Sequence, residues 1–426
     1  MSANSIESTD QWSWWLSVLF RFFCIYLLLY MSPWNWLGGV PLFSLIAEYY
    51  GLGESWLVNL GNTYIFHVRD VLVPLNGSGD TSYGYAQLCF FLLTATVGAV
   101  IWSVFDKRSN YDVAYYWLLV IVRYYVAMVS LSYGIIKLFG LQMIFPSLSA
   151  LATPLGDLLP MRFSWYFIGY STPYQFFSGA VEVLAGVLLL FRRTSTLGAL
   201  VAAGVFLNVM VLNLCYDIPV KLFSIHMFLF SNFLLLGDAK RLLDFFLFNK
   251  ATKPATRLTL PKQWMRTGQL VLKIAFAILF LLLPLYRSFD GARAATNPST
   301  SPKLTTGFFT VDQFQSNVAD SLRWKDVVFE QTNSGSIQTS DTLFRQRYRR
   351  GYFSYSIDSL KQTLDFKRFA NDSIPLFTMH YVMPDTNNIV LRGKIRNDSV
   401  VVALKRQKRH FQLTERQFHW LSESNR

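Results

Sequence analysis

The sequence predicts an α-helical membrane bundle of about seven transmembrane helices followed by a C-terminal antiparallel β domain. Three observations predict it. Seven apolar runs of spanning length precede residue 287. Hydrophobic residues make up 52% of the 426 and charged residues only 15%, with 37 Phe, 22 Tyr and 12 Trp. Beyond residue 307 the pattern changes to apolar/polar alternation of period two, broken by short turns.

The first run, Trp12 to Met31, follows a polar start without the Lys/Arg-rich head of a signal peptide, and so predicts a retained helix with Arg21 in mid-span. Ser32 to Ser82 is aromatic-rich but interrupted by Pro33, Gly38-Gly39, Pro41, Gly51, Gly53 and Pro74, which favours interfacial helices over a clean span. It ends in Gly77-Ser-Gly-Asp-Thr81, a turn and not a phosphate cradle, since no strand precedes it. Further spans are expected at Tyr83–Phe105, Val113–Phe139, Tyr174–Phe191, Leu197–Leu214, Val220–Leu236 and Leu270–Tyr286. An amphipathic stretch, Lys240 to Phe248, suits the membrane surface. Strands are expected at Phe308–Phe314, Val327–Gln331, Leu343–Tyr348, Tyr352–Ile357, Thr363–Phe366, Ile374–Met383, Asn388–Ile395 and Ser399–Arg406. Eight such strands joined by short turns suffice to close a small lipocalin-like barrel.

Lys/Arg residues in short loops set the orientation. Two lie at 106–112, two at 192–193 and seven at 238–268, against Arg69, Arg162 and Lys221 on the opposite side. The first group is expected in the cytoplasm, which puts the N-terminus inside and the β domain outside. The expected division is 1–112 for N-terminal helices with an interfacial segment, 113–237 for a four-helix core and 238–268 for a basic cytoplasmic loop. The last helix follows at 269–286, a linker at 287–306 and the extracytoplasmic β domain at 307–426. Of the +13 net charge, residues 287–426 carry 21 Lys/Arg against 13 Asp/Glu, a basic surface beside anionic lipid headgroups. No recognition motif accompanies the charge, so nucleic acid is not expected as a partner. Cys24, Cys89 and Cys215 show no CxxC spacing and read as packing residues.

The polar groups that hydrocarbon should reject concentrate between Arg123 and Ser224. A charge near the bilayer centre costs at least about 2.5–3.5 kcal/mol, so such residues face a bundle interior, a partner or a cavity. Arg123, Ser130, Gly134 and Lys137 fall on one helical stripe, and Gln175, Gly179, Glu182 and Gly186 on another. Antiparallel packing is expected to bring Glu182 level with Arg123 and within reach of Lys137. This pair can simply hold two helices together, or can line a ligand site. Asn208, Asn213, Asp157, Asp217 and Lys221 complete the candidate set, with Lys137, Asp157, Asn213, Asp217 and Lys221 expected near one membrane depth. Asp217 is expected to cap the helix that follows Pro219 and to pair with Lys221 one turn on. No catalytic residue and no metal-ligand spacing emerges, and neither HExxH, a P-loop nor GxSxG occurs. His226 lies deep in a span, and His67, in a broken loop segment, is a poor second ligand, so haem is not expected.

These residues carry a resemblance. The runs Arg123...Tyr133-Gly-Ile-Ile-Lys137, Gly156-Asp157...Pro160-Met161, Phe177-Ser-Gly-Ala-Val-Glu182...Gly186, Arg192-Arg-Thr194...Leu197-Gly198 and Asn213...Tyr216-Asp217-Ile-Pro-Val-Lys221 resemble the DoxX-like bacterial membrane proteins over about 100 residues. The ending Arg416-Gln-Phe-His-Trp420 is similar to that of the long Bacteroidetes-type members, and Leu19-Phe20-Arg21 resembles HTTM domains. The resemblance implies a four-helix core in the cytoplasmic membrane and, in some relatives, a place in quinone-linked oxidoreductases. The chain departs from it by three added helices and the β domain.

Two readings follow, one with turnover left open and one without it. In the first, the chain is a quinone- or lipid-binding subunit of a redox-linked membrane complex, with Arg123, Lys137, Asp157, Glu182, Asn208, Asn213, Asp217 and Lys221 as ligand contacts. A protein partner must then supply electrons, and quinone is the one cofactor the resemblance suggests. In the second, it is a scaffold whose β-barrel captures a lipid, peptide or protein.

Overall fold

The computed structural model describes residues 11–106, 108, 110–252, 262–296, 306–416, 418–421 and 423. It divides into two compact units, Met1–Gln142 with Pro173–Asp290, and Met143–Thr172 with Gly291–Arg426. The chain begins with α1 (Trp14–Met31), α2 (Pro41–Gly61), α3 (Ser82–Phe105) and α4 (Asp112–Leu138). Two short helices, α5 (Leu148–Leu151) and α6 (Pro160–Tyr170), belong to the second unit. Then come α7 (Thr172–Leu190), α8 (Ser195–Cys215), α9 (Lys221–Leu236), α10 (Ala239–Phe246), α11 (Gln263–Ala277) and α12 (Leu283–Thr296).

Six helical runs, α1, α3, α4, α7, α8 and the continuous α11–α12, are long and apolar enough to cross a membrane. The pair α9 and α10, bent by 80°, raises the number to seven. The chain is thus a multi-pass membrane protein with a β domain. The bend separates the amphipathic α10 from the apolar α9, as the change in composition at Gly237-Asp238 demands. The last helix runs past the expected end at Tyr286 to Thr296, so the first part of the expected linker is helical, and its residues 297–305 lie outside the described residues. Between α11 and α12 lies a π-helical stretch, Ile278–Leu282. Pro284 supplies its cause, because it has no N–H to donate and its ring collides with the carbonyl four residues back.

The helical core is aromatic and small-residue mixed. Phe20, Tyr26, Phe91, Tyr111, Val122, Val126, Ala185, Leu189, Ala202 and Phe230 are buried in one cluster drawn from α1, α3, α4, α7, α8 and α9. Burying one such side chain contributes about 1.5–3 kcal/mol relative to water. Arg21 crosses this core. Its guanidinium donates to Tyr111 Oη at 2.6 and 2.9 Å, to Ser103 Oγ at 2.7 Å and to the Asp106 carbonyl at 3.1 Å, tying α1 to the α3–α4 turn.

The second unit is a β-barrel with a helical cover. Its strands are β1 (Gly307–Gln315), β2 (Asp326–Phe329), β3 (Ser334–Ile337), β4 (Arg345–Arg347), β5 (Arg350–Asp358), β6 (Thr363–Lys367), β7 (Phe377–Asp385), β8 (Asn388–Ile395) and β9 (Asp398–Gln407), with a short terminal helix α13 (Gln412–Glu415). All pairings are antiparallel in the order β3-β2-β1-β9-β8-β7-β6-β5-β4, and β3 also pairs with β5. That pairing closes an eight-stranded barrel and leaves β4 as an outer flap on β5. The closing strand β3, Ser334-Gly-Ser-Ile337, is missing from the sequence-based assignment, since two Ser and a Gly in four residues give no alternation to detect.

Alternation sorts the strands into two faces. Phe309, Val327, Phe329, Ile337, Phe344, Phe353, Phe366, Phe377, Leu391 and Val402 fill the barrel. On the outer face of β2, β3 and β5, Arg350 donates to Asp326 Oδ1 at 2.5 Å and Oδ2 at 3.1 Å and to Ser336 Oγ at 2.9 Å. These groups are buried because residues 143–172 lie over that face: the Ser149 amide donates to Glu330 at 2.7 Å, Arg162 Nε to Tyr348 Oη at 3.0 Å, and Asp157 pairs with Arg349 at 3.1 Å.

Candidate functional site

The two polar stripes meet as expected. Lys137 Nζ and Glu182 Oε1 form an ion pair with side chains 8% and 2% exposed. Glycine makes it possible. A Cβ on Gly134 would sit 2.8 Å from the Gly179 carbonyl oxygen and the Val183 amide nitrogen, and one on Gly179 would sit 2.8 Å from Lys137 Cβ. Gly186 packs in the same way on Leu131 and Ala127, so residue numbers rise on α7 as they fall on α4 and the helices are antiparallel.

That register corrects the expected partner of Arg123. Glu182 sits opposite the Gly134 to Lys137 turn and not opposite Arg123, which lies three to four turns further toward the start of α4. Long helical side chains lean toward the helix N-terminus, so Lys137 reaches back to Glu182 and takes it as partner. The second carboxylate oxygen, Oε2, has no hydrogen-bond partner among the described residues.

Asp217 does not cap α9. It adopts a left-handed conformation (φ 50°) with its side chain 81% exposed and pairs with Lys221 at 2.7 Å, as the spacing predicts. The cap is Asp80, whose two carboxylate oxygens accept from the Lys221 amide at 2.8 Å and the Leu222 amide at 3.0 Å. Asp80 belongs to the Gly77–Thr81 turn, whose Ser78 and Gly79 also bond the Pro219 carbonyl. The sequence could not have found this contact, 141 residues apart, from local spacing.

Asn213 is buried, with a 3.5 Å contact from Nδ2 to the Val220 carbonyl. Asn208 is exposed on α8, contrary to its expected burial. Asp157 leaves the expected set altogether: it belongs to the second unit, where it pairs with Arg349. His226 is engaged at both ring nitrogens, Nε2 with Tyr26 Oη at 2.5 Å and Nδ1 with the Leu222 carbonyl at 2.6 Å, and stacks on Tyr30 at 3.9 Å. A histidine so held is a packing element.

Arg123 opens instead onto a cavity of about 560 Å³ beside α4 and α11, walled by Trp36, Trp117, Tyr124, Trp264 and Phe280, with Arg192 as its second cation. The volume is within the roughly 300–1,000 Å³ of small-molecule sites. It exists because α11–α12 is loosely seated: its apolar window has no buried residue, and Phe276 on Tyr124 at 4.9 Å is its clearest ring contact. The π-helical turn contributes Leu279 and Phe280 to the wall. A mid-span arginine signalled this place in the sequence; the cavity itself did not.

No family model and no solved structure matches the chain. An 83-residue stretch, 20% of the chain, is 37% identical to the uncharacterized protein YwoB of Bacillus subtilis (strain 168), and it spans about half (54%) of that relative's length.

Proposed function

We propose that this chain is a DoxX-like protein of the bacterial cytoplasmic membrane, N-terminus inside and β domain outside, whose helical unit binds a lipid-like amphiphile. The observation that carries the reading is the cavity beside α4 and α11: apolar and aromatic walls with two guanidinium groups, next to a helix that leaves its own side chains uncovered. Such a site solvates an apolar body and orients a polar end. The loop cations at 192–193 and 238–268 support the orientation. The filled barrel interior favours the helical unit over the barrel as the place of capture. The redox half of the expectation, with its quinone and electron-supplying partner, gains nothing from the fold.

The test uses Gly268, where an added Cβ meets no atom within 4 Å. Gly268→Phe puts a ring on the cavity wall at a position where the Cβ itself meets open space, and it removes a helix glycine. Full-length protein purified in a mild nonionic detergent should lose its tightly retained lipid, measured by mass spectrometry, with melting temperature unchanged or raised. Equal lipid content in the two proteins sinks the reading.

A further inference from the structure

Among the described residues, Arg21 and Arg123 are the two arginines buried within the helical unit, 5% and 8% exposed. They are treated in opposite ways. Arg21 has all three guanidinium nitrogens bonded to protein oxygens. Among the described residues Arg123 Nε has no partner, and the ring face of Tyr124, its neighbour in sequence, lies 5.1 Å from the guanidinium carbon. No carboxylate lies within ion-pair distance of Arg123 among the described residues, and no acidic side chain is among those lining its cavity. Arg192 shares the cavity wall.

A buried guanidinium that faces an apolar cavity with no counter-charge among the described residues is strongly disfavoured. A guanidinium with donors to spare is the group best shaped for a carboxylate or a phosphate. Resting on the amphiphile reading of the cavity, we infer that its occupant bears an anionic head held by Arg123, with its apolar body along α11. Trp117 and Trp264 line the same cavity. Gln269 lies in the same wall and adds an uncharged donor.

The experiment is a titration of the full-length protein, stripped of lipid in a nonionic detergent and followed by native mass spectrometry. The probes are two matched pairs: dioleoylphosphatidylglycerol against dioleoylglycerol, and oleate against methyl oleate. The wild type should bind the anionic member of at least one pair about tenfold more tightly, equivalent to about 1.4 kcal/mol. The pair that shows the preference tells phosphate from carboxylate. Arg123→Gln should reduce the preference to near parity while still binding the neutral members, which also reports that it is folded. Arg193→Gln, an exposed cation beside the site, should keep the preference. Equal affinity within both pairs, abolished by Gly268→Phe, overturns the anionic head and leaves the amphiphile site standing. A preference that survives Arg123→Gln overturns it as well. If Gly268→Phe changes the binding of none of the four, the cavity reading falls and takes this inference with it.

Discussion

At Lys137 and Glu182 each charge has the other as its counter-ion, and both are nearly sealed from solvent. Removing one partner strands a buried charge, so Glu182→Gln should destabilise the helical unit by about 3–5 kcal/mol. Replacing both, Lys137→Met with Glu182→Leu, should recover most of that loss if the pair only joins helices. Urea or thermal unfolding in detergent micelles reads both variants, and a Glu182→Gln protein as stable as wild type would show that the pair is not what holds α4 to α7. A second residue, Tyr355 of the barrel core, carries a buried hydroxyl with no hydrogen-bond partner among the described residues. Burial pushes its phenol up to about 12 from 10. The folded state therefore prefers the neutral phenol: its contribution is fully present below pH 10 and is lost as pH rises from 10 toward 12. Tyr355→Phe removes an unmet polar group and should leave neutral-pH stability unchanged or better while flattening part of that alkaline loss, measured by near-ultraviolet circular dichroism of the β domain. Charges in apolar runs are conspicuous in a sequence, which is why Arg123, Lys137 and Glu182 were legible, and the reach of Glu182 to Lys137 with them; the register that leaves Arg123 out was not, because a shift of three to four helical turns between neighbours leaves no trace in either helix.

Between α8 and α9 the reversal is pinned from outside itself. Asp217 looks like the cap in the sequence, yet its carboxylate points to solvent and Asp80 binds both leading amides of α9. Losing a cap of this kind costs about 0.5–2 kcal/mol. Asp80→Ala should therefore cost more than Asp217→Ala in thermal melts, although Asp217 has the shorter ion pair with Lys221, because the exposed pair contributes little in water. The reverse ranking would restore the local cap. The spans themselves were legible, since six of the seven apolar runs return as helices within a few residues of their expected ends, while the last, expected at Leu270–Tyr286, runs from Gln263 to Thr296. The closing strand β3 was not, because its Ser-Gly-Ser composition owes its place to two neighbouring strands and to no pattern of its own.

For the molecule as a whole, the division into units follows contacts and not sequence order. Residues 143–172 leave the chain between α4 and α7, and they fold with the barrel. They cover Val328, fully buried although its side chain points away from the barrel core, and they shield the Arg350–Asp326–Ser336 group on the same outer face. A barrel cut from the chain at residue 306 would expose that face to water, converting a buried bidentate ion pair into a solvated one and uncovering apolar surface beside it. Residues 306–426 alone should then melt at lower temperature and self-associate, whereas the same segment with 143–172 joined to it by a flexible linker should recover a single cooperative transition. Arg350→Ala in the joined version should cost about 3–5 kcal/mol by leaving Asp326 buried and unpaired, and much less in the bare barrel, where water reaches that carboxylate. Differential scanning calorimetry of the four proteins separates the two cases, and an equal loss in both would mean that residues 143–172 contribute nothing to the barrel they cover.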